Sequence, residues 1–459
     1  MSASDLVVRA PFGGRELARI SRPSLEEIET AVASAVRVFE ETRALPTFAR
    51  VAILRTVAAE LERRRDELAR TIAAEAGKPL KAARTEAERA SATFSAAAAA
   101  LEAQTGQMLP LDVNAASVSR WGVVKRVPLG PVLAITPFNF PLNLTSHKVA
   151  PAIAVGATIV QKPASQTPLS ALALREIVRG AGWPRDAYAV LPISGAAAEA
   201  LVLDPRLPVV SFTGSGAVGW RLKSLVPRKR VALELGGNAA VVVHSDADLD
   251  DAARRTASGA FSYAGQSCIS VQRALVHRPV LEAFRSKLLR WTAELVVGDP
   301  LDEKTDVGPM ITPEEAARAE AWVKEAVQGG ATALSGGTRE GDCLSPTILA
   351  DTAPSMKVEE QEVFAPVVTL TPYDDWDEAL RRVNDSKYGL QAGIFTRDLG
   401  RIQRAFDVLE VAAVLVNDVP TWRADRMPYG GVKESGSGRE GPAYAMEEFT
   451  EPRLLVIRA

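Results

Sequence analysis

PVLAITPFNFPLNLTSHKVAPAIAVGATIVQKPA, residues 131–164, is the stretch that decides the fold. PVLAITP and TIVQKPA are short apolar runs stopped by proline, the pattern of buried parallel strands, and SHKVAPAIAVG between them has the length and composition of a helix. Two parallel neighbours need a long crossover that packs back onto the sheet, so strand, helix, strand in this order is one α/β unit. The apolar run 149–160 is shorter than the ~20 residues of a membrane-spanning helix. Pro151 and Gly156 interrupt it, so it reads as core.

The same logic continues downstream. A helix over 168–180 leads to strand AYAVLPI, and a helix over 196–203 leads to PVVSFTG. After the strand RVALELGG a second series begins: AAVVVH, a helix over 249–263, RALVH and a helix through 284–294. A change of domain is expected near Gly236 and Gly237. Alternating strands and helices predict mainly parallel sheets, with ligands gathered at the carboxyl ends of the strands. Upstream, residues 24–105 carry helical spacing, opened by Ser24 and Glu27 in a capping-box pattern. The charge run ERRRDE, 62–67, reads as a solvated helix face, and SATFSAAAAALEAQTG as a close-packed helix. Alternation over 117–127 predicts a strand, and EEFTEPRLLVIRA a terminal strand of the kind that pairs outside its own domain.

At 459 residues the chain exceeds one ordinary core and should divide into two or three domains. Its 47% hydrophobic and 24% charged residues, with a net charge of −2, describe a globular enzyme and give no electrostatic reason to bind nucleic acid or a membrane surface. MSASDLVVRAPFGGREL lacks the charged-then-apolar order of a signal peptide, which leaves the cytoplasm as the expected compartment. Two cysteines without CxxC or Cys/His spacing offer neither a disulfide framework nor a zinc site, and no metal is expected.

Cys268, in FSYAGQSCISV, sits among small and polar residues, the setting of a nucleophile; a lone cysteine otherwise packs as a small hydrophobe. A thiol attacking a carbonyl needs an activated sulfur and donors for the oxyanion. Asn139 in TPFNFP offers a side-chain amide at a strand end, and the Cys268 backbone N–H offers a second donor, although a loop asparagine alone is more often a turn residue. FTGSGAVG, 212–219, places glycines between a strand and a helix, where backbone N–H groups can meet a pyrophosphate. It departs from GxGxxG, so alone it signals no more than a tight turn. Glu234, in ELGGN, is a carboxylate able either to activate water or to hold a salt bridge.

TPFNFP, KPA, FTGSGAVG, ELGGN, GQSCIS, EVFAPV and PYGGVKESGSGREG occur together in an order and spacing that resemble the aldehyde dehydrogenase superfamily, over nearly the whole chain. The offset of 34 positions from Glu234 to Cys268 matches as well. The resemblance implies an α/β fold with two Rossmann-like domains and a small β oligomerisation element. The implied segments are a helical part of the cofactor domain over 1–112, an oligomerisation hairpin over 113–127, the Rossmann-like cofactor domain over 128–235 and the catalytic domain over 236–420. A return to the cofactor domain over 421–445 and a C-terminal oligomerisation strand over 446–459 complete the chain. It also implies a homodimer or homotetramer.

By the same resemblance, Cys268 attacks the aldehyde, Asn139 and the Cys268 N–H hold the oxyanion, and hydride passes to a nicotinamide. Glu234 then activates the water that hydrolyses the thioester to a carboxylic acid. Lys148 and Glu440 match proton-relay positions, with a structural ion pair as the alternative. Thr136, Pro137, Phe138, Lys162 and Ser165 fall at cofactor-binding positions, as do Gly214, Ser215, Gly219, Leu235 and Gly236, with Glu362 and Phe364 at the nicotinamide ribose. NAD-preferring members place a glutamate where this chain has Ser165. A carboxylate repels a 2′-phosphate and a serine beside a lysine can bind one, so the cofactor is NADP or NAD with NADP accepted.

PTWRADRMPYGG resembles the non-acylating subgroup acting on lactaldehyde, phosphonoacetaldehyde or succinate semialdehyde, which implies a small polar or anionic aldehyde gripped by Arg423, with Arg89 approaching from the other side. Phe138, Phe140, Trp422 and Tyr263 are expected to wall a compact pocket. A CoA-acylating relative would generally lack Glu234. A cysteine hydrolase would want a histidine partner, which none of His147, His244 and His277 offers in a motif. A silent binding protein would be expected to have lost Cys268, Glu234 or Asn139. The chain therefore reads as an aldehyde-oxidising enzyme.

Overall fold

A computed structural model describes residues 5–458; residues 1–4 and 459, part of the expected segments 1–112 and 446–459, lie outside them. Strands Arg230–Glu234, Val209–Thr213, Val132–Ile135, Ile159–Lys162 and Tyr188–Val190 lie side by side in that order, all parallel, with Gly436–Ser437 added antiparallel at the Arg230 edge. In chain order this is the doubly wound arrangement, in which the first strand has neighbours reached by crossovers in opposite directions. Helices cover both faces, so these strands have no polar side to alternate with, and Val132, Leu133 and Ala134 are fully buried. Helix Asn143–Val155 is buried along its whole length, which accounts for its apolar composition on every side.

Residues 235–238 carry the chain into a second sheet. Its parallel strands run Thr347–Ala350, Val367–Tyr373, Val271–His277, Ala239–Val243, Gln391–Phe395 and Ala413–Val416, with Thr332–Ser335 antiparallel beside the first. A third, three-stranded antiparallel sheet joins Gln107–Pro110, Arg120–Pro128 and Thr450–Arg458.

Several elements differ locally from their sequence reading. The antiparallel sheet begins at Gln107, not 113, and residues 115–117 form a short helical turn whose cap is Asn114. Glu447 and Glu448 end a helix, Pro442–Glu448, before the terminal strand starts at Thr450. An N-terminal hairpin, Leu6–Arg9 with Glu16–Ile20, was not anticipated. The Ser24 capping box is formed as read, with Glu27 returning a bond to the cap backbone. ERRRDE is exposed, but it spans a break: helix Thr47–Arg63 gives way at Arg64 to helix Arg65–Ala76. Arg63 and Arg65 pair with Glu60 and Glu62 there, at 2.6 and 3.0 Å.

Candidate active site

The expected helix 249–263 stops at Phe261, and the reason bears on the site. Tyr263, Ala264 and Gly265 all adopt positive φ (53°, 52° and 66°), a rare run of left-handed residues that costs energy at the two that are not glycine. Tertiary contacts hold it. The Tyr263 hydroxyl donates to the Ala76 carbonyl at 3.0 Å, its ring meets Phe140 edge-on, and a side chain at Gly265 would collide with the Ala365 carbonyl at 2.1 Å. Gln266, fully buried, then locks the loop by donating to Tyr263 and Pro309 carbonyls and accepting from the Ile311 N–H at 2.8 Å. This turn delivers Cys268, half-buried, just ahead of the strand Val271–His277.

Cys268 borders two cavities. One, of about 830 Å³, opens at the carboxyl ends of Val132–Ile135 and Val209–Thr213, the switch point of the first sheet. Thr136, Pro137, Phe138, Asn139, Lys162 and Ser165 line it, with Gly214, Ser215, Glu234, Leu235, Gly236, Glu362 and Phe364. Gly219 does not. It sits beneath the turn, where a Cβ would lie 2.5 Å from Leu235 and 3.2 Å from Phe212, so its role is close helix-to-strand packing. Ser215 caps the helix Gly216–Leu225, whose first N–H groups face this cavity as an anion-binding end. Glu362 accepts from the Gly237 N–H at 2.9 Å, and burial raises its pKa to about 7. Phe364, at φ 51°, meets Phe138 edge-on.

The other cavity, of about 470 Å³, reaches the same cysteine and is lined by Arg89, Phe140, Tyr263, Thr421, Arg423 and Tyr429, among others. Trp422 lines neither cavity. It is 52% exposed, because the turn after Val419 points it outward while Arg423 points in, and the expectation of a substrate-wall role for it is corrected. Phe138 walls the first cavity rather than this one.

Glu234 is 4% exposed and neither of its carboxylate oxygens has a hydrogen-bond partner. Burial first, then the nearby Glu440 charge, raises its pKa well above the carboxylate range. Asn139 donates from Nδ2 to the Gln266 carbonyl at 3.0 Å, and its buried Oδ1 is unpartnered. Lys148 donates to Glu440 at 2.8 Å and Ser211 at 3.0 Å. Burial opposes ionisation of Glu440, yet Lys148 and Arg423 hold its pKa down to about 2. Among the described residues no group of three or more His, Cys, Asp or Glu side chains could hold a metal ion.

The chain that sets this half-buried cysteine between a switch-point cavity and a second pocket is similar to known proteins over nearly its full length. Residues 1–455 fit the profile of the Aldehyde dehydrogenase family. This chain belongs to the aldehyde dehydrogenase family. It is 44% identical over 457 residues to the 3-sulfolactaldehyde dehydrogenase of Priestia aryabhattai, covering 99% of this chain and 95% of that one. With the lactaldehyde dehydrogenase of Methanocaldococcus jannaschii it shares 38% over 462 residues, 100% and 98% of the two chains. Among solved structures, aldehyde dehydrogenase 21 from Physcomitrella patens, in complex with the reaction product succinate, superposes with a TM-score of 0.97 at 41% identity, covering 99% and 95%. The glyceraldehyde-3-phosphate dehydrogenase GapN from M. jannaschii, complexed with NADP, gives 0.96 at 38%, covering both chains in full.

In this aldehyde dehydrogenase the second pocket is built around charges that the sequence only half disclosed. Arg423, 5% exposed at its side chain, lies 3.4 Å from Glu440 and 3.2 Å from His147, and its guanidinium stacks 3.6 Å over the Tyr429 ring. Arg89 lines the same cavity and is held there by Asp425 with two bonds of 2.8 and 3.1 Å. Asp425 also takes bonds from His147 at 2.9 Å and Asn143 at 3.1 Å. Burial lowers the His147 pKa to about 4, helped by Arg423, so His147 is neutral and its contact with Asp425 is a hydrogen bond rather than an ion pair. Asp425 is ionised: His147 and Arg89 hold it far down despite its burial.

Tyr429, His147 and Asp425 are the residues sequence reasoning missed. All three sit within quoted motifs, but nothing in their spacing distinguishes them. Tyr429 and Glu440 exchange backbone bonds of 3.1 and 2.6 Å, which folds the glycine-rich loop back on itself and brings both side chains to the site.

Proposed function

We propose that this aldehyde dehydrogenase oxidises a small anionic or polar aldehyde to the carboxylic acid with NADP or NAD, Cys268 acting as nucleophile. The observation that carries this is the placement of Cys268 on both cavities, so that aldehyde and cofactor can reach one sulfur from different directions. The Cys268 thiolate adds to the carbonyl carbon, and the resulting oxyanion takes donors from the Asn139 amide and the Cys268 N–H. NADP or NAD, when bound in the larger cavity, supplies the two-electron acceptor that makes the thiohemiacetal a thioester. Glu234, with both oxygens free, takes a proton from water as that water attacks the thioester carbon, and the acid leaves as Cys268 regains its proton. The Lys148–Glu440 pair, whose charges act on Glu234, supports a proton-relay role for these two residues.

The cofactor's adenosine end would rest near Lys162 and Ser165, and its pyrophosphate on Gly214, Ser215 and the helix start. Burial and the nearby Arg22 both lower the Lys162 pKa, and the second cause means that two basic side chains converge where a 2′-phosphate would lie and would restore the lysine's charge. Three cations, Lys81, Arg89 and Arg423, and two carboxylates, Glu86 and Asp306, line the smaller cavity, and behind them Lys78 and Lys148 are matched in number by Asp425 and Glu440. The surplus cation favours a substrate bearing an anion, in keeping with relatives named for sulfolactaldehyde and with the succinate of the Physcomitrella structure.

Initial rates with NADP and NAD across short neutral and anionic aldehydes test both halves of this reading. NADP is expected to be used at least as well as NAD; a kcat/KM favouring NAD by tenfold, about 1.4 kcal/mol, would refute the role of Ser165. Arg423→Ala is expected to raise KM for an anionic aldehyde about ten- to a hundredfold, the worth of a hydrogen bond to a charged group. Equal effects on neutral and anionic aldehydes would remove Arg423 from the substrate site.

The three-stranded sheet exposes Leu454, Leu455 and Val456 in succession, along with Met108 at 73%. We propose that a second copy covers it in a homodimer or homotetramer, since such an edge-rich apolar sheet is otherwise an aggregation site. Light scattering of the purified chain reads the subunit number, and a monomer would refute it. Cys268 and Cys343 are both unpaired, which supports the cytoplasm as its compartment.

A further inference from the structure

Tyr429 has its hydroxyl 3.0 Å from the Cys268 sulfur. It is 3% exposed, and the Arg423 guanidinium lies flat against its ring at 3.6 Å. The exchange of backbone bonds with Glu440 fixes its loop, so the hydroxyl is held against the sulfur and not merely near it. Either atom can donate while both are protonated. A thiolate has no proton and can only accept.

We propose that Tyr429 is a catalytic residue that donates a hydrogen bond to the Cys268 thiolate and thereby raises the fraction of the enzyme whose sulfur is ready to attack. This deepens the reading of Cys268 as nucleophile and rests on it. The groups facing the sulfur are few. Burial opposes its ionisation most, Glu362 and Glu234 add to that, Tyr429 and then Arg423 favour it, and together these push the thiol up to about 12. Two buried carboxyl groups on the cofactor side leave the substrate side as the source of stabilisation, and Tyr429 is the group there in hydrogen-bond contact with the sulfur. Arg423 at the ring face strengthens the phenol as a donor, because a cation beside the ring favours charge moving onto its oxygen. In this step the S–H bond breaks and its proton passes to solvent water, while the phenol keeps its own O–H bond. Once the sulfur has added to the aldehyde it is a neutral thioether and a weak acceptor, which releases the hydroxyl toward the bound substrate.

The test is Tyr429→Phe, which keeps the ring beneath Arg423 and removes only the hydroxyl. The rate of Cys268 alkylation by iodoacetamide is followed from pH 7 to 10 by mass spectrometry on the full chain, with Cys268→Ala as blank. Loss of one charged hydrogen bond is expected to raise the thiol pKa by about one unit, cutting thiolate about tenfold. Each remaining thiolate gains roughly threefold in nucleophilicity, so alkylation slows by about threefold, as a parallel displacement of the log rate against pH. An unchanged rate, or a faster one, overturns the proposal; a faster one means that the thiol donates to the phenol, or that the hydroxyl only obstructs the sulfur. Thermal melting and cofactor binding of the variant, both expected to match the parent, show that the site is folded. Alkylation reads the sulfur whether or not the enzyme turns over, so failure here is distinct from failure of Cys268 as nucleophile, which Cys268→Ala kinetics decide.

Discussion

Cys268→Ala is expected to lower aldehyde oxidation on the order of 10⁴-fold or more, with cofactor binding retained. The size follows from what is lost. A covalent nucleophile has no substitute in the site, and removing one that works as a unit with its partners costs nearly all the rate they jointly provide. The other cysteine, Cys343, is buried on a short strand away from both cavities and cannot take over. The substitution removes one atom from a half-buried position whose neighbours are fixed independently by Gln266 and by the Tyr429–Glu440 bonds, so the fold should tolerate it. Initial rates and a cofactor titration check the result together. Activity within tenfold of the parent would show that the aldehyde is not attacked by this sulfur.

Glu234→Gln should separate the two halves of the cycle. Acylation does not need this carboxylate, so one equivalent of reduced cofactor per site is expected in a rapid burst. Steady turnover then falls about 10²–10⁴-fold, the usual contribution of a general base. The pH dependence carries a sign. Glu234 works only when ionised, and burial and Glu440 have raised its pKa, so hydrolysis in the parent should climb with pH through a range well above that of ordinary carboxylates. In the glutamine variant that climb should vanish. Stopped-flow traces decide the matter: a variant that loses the burst along with turnover would assign Glu234 to an earlier step, such as taking the Cys268 proton.

The parallel α/β architecture was legible because strands buried on both faces are continuous apolar runs between helical segments, as PVLAITP and TIVQKPA are. The helix end at Phe261 was not, since no local signal predicts left-handed Tyr263 and Ala264; the Tyr263 bond to Ala76 and the packing of Gly265 on Ala365 impose it. Cys268, Glu234 and Asn139 stood out through motif order, and the structure brings them to one cavity. Trp422 was misjudged and the pairing of Arg89, which does line the smaller cavity, was missed, for a shared reason. Whether a side chain faces a pocket or a partner depends on its neighbours in space, and Asp425, which binds Arg89, is 336 positions away in the chain. Tyr429 looked like one aromatic among several until the loop closed on Glu440.

Residues 235–238, the crossing between the two large sheets, divide the proposed chemistry between two halves of the molecule. Glu234 ends a strand of one sheet, while Cys268 leads into a strand of the other. On the proposed mechanism the acyl group is carried by one half of the protein and its hydrolysing water is activated by the other. A small displacement between the halves would prolong the intermediate while leaving the sulfur's own surroundings intact. Gly237 and Cys268 lead into neighbouring strands of the second sheet, so closely that an added Cβ at Gly237 would stand 2.2 Å from the Cys268 carbonyl. A larger residue at Gly237 would have to push the Cys268 loop aside, and so would change how long the proposed acyl group stays.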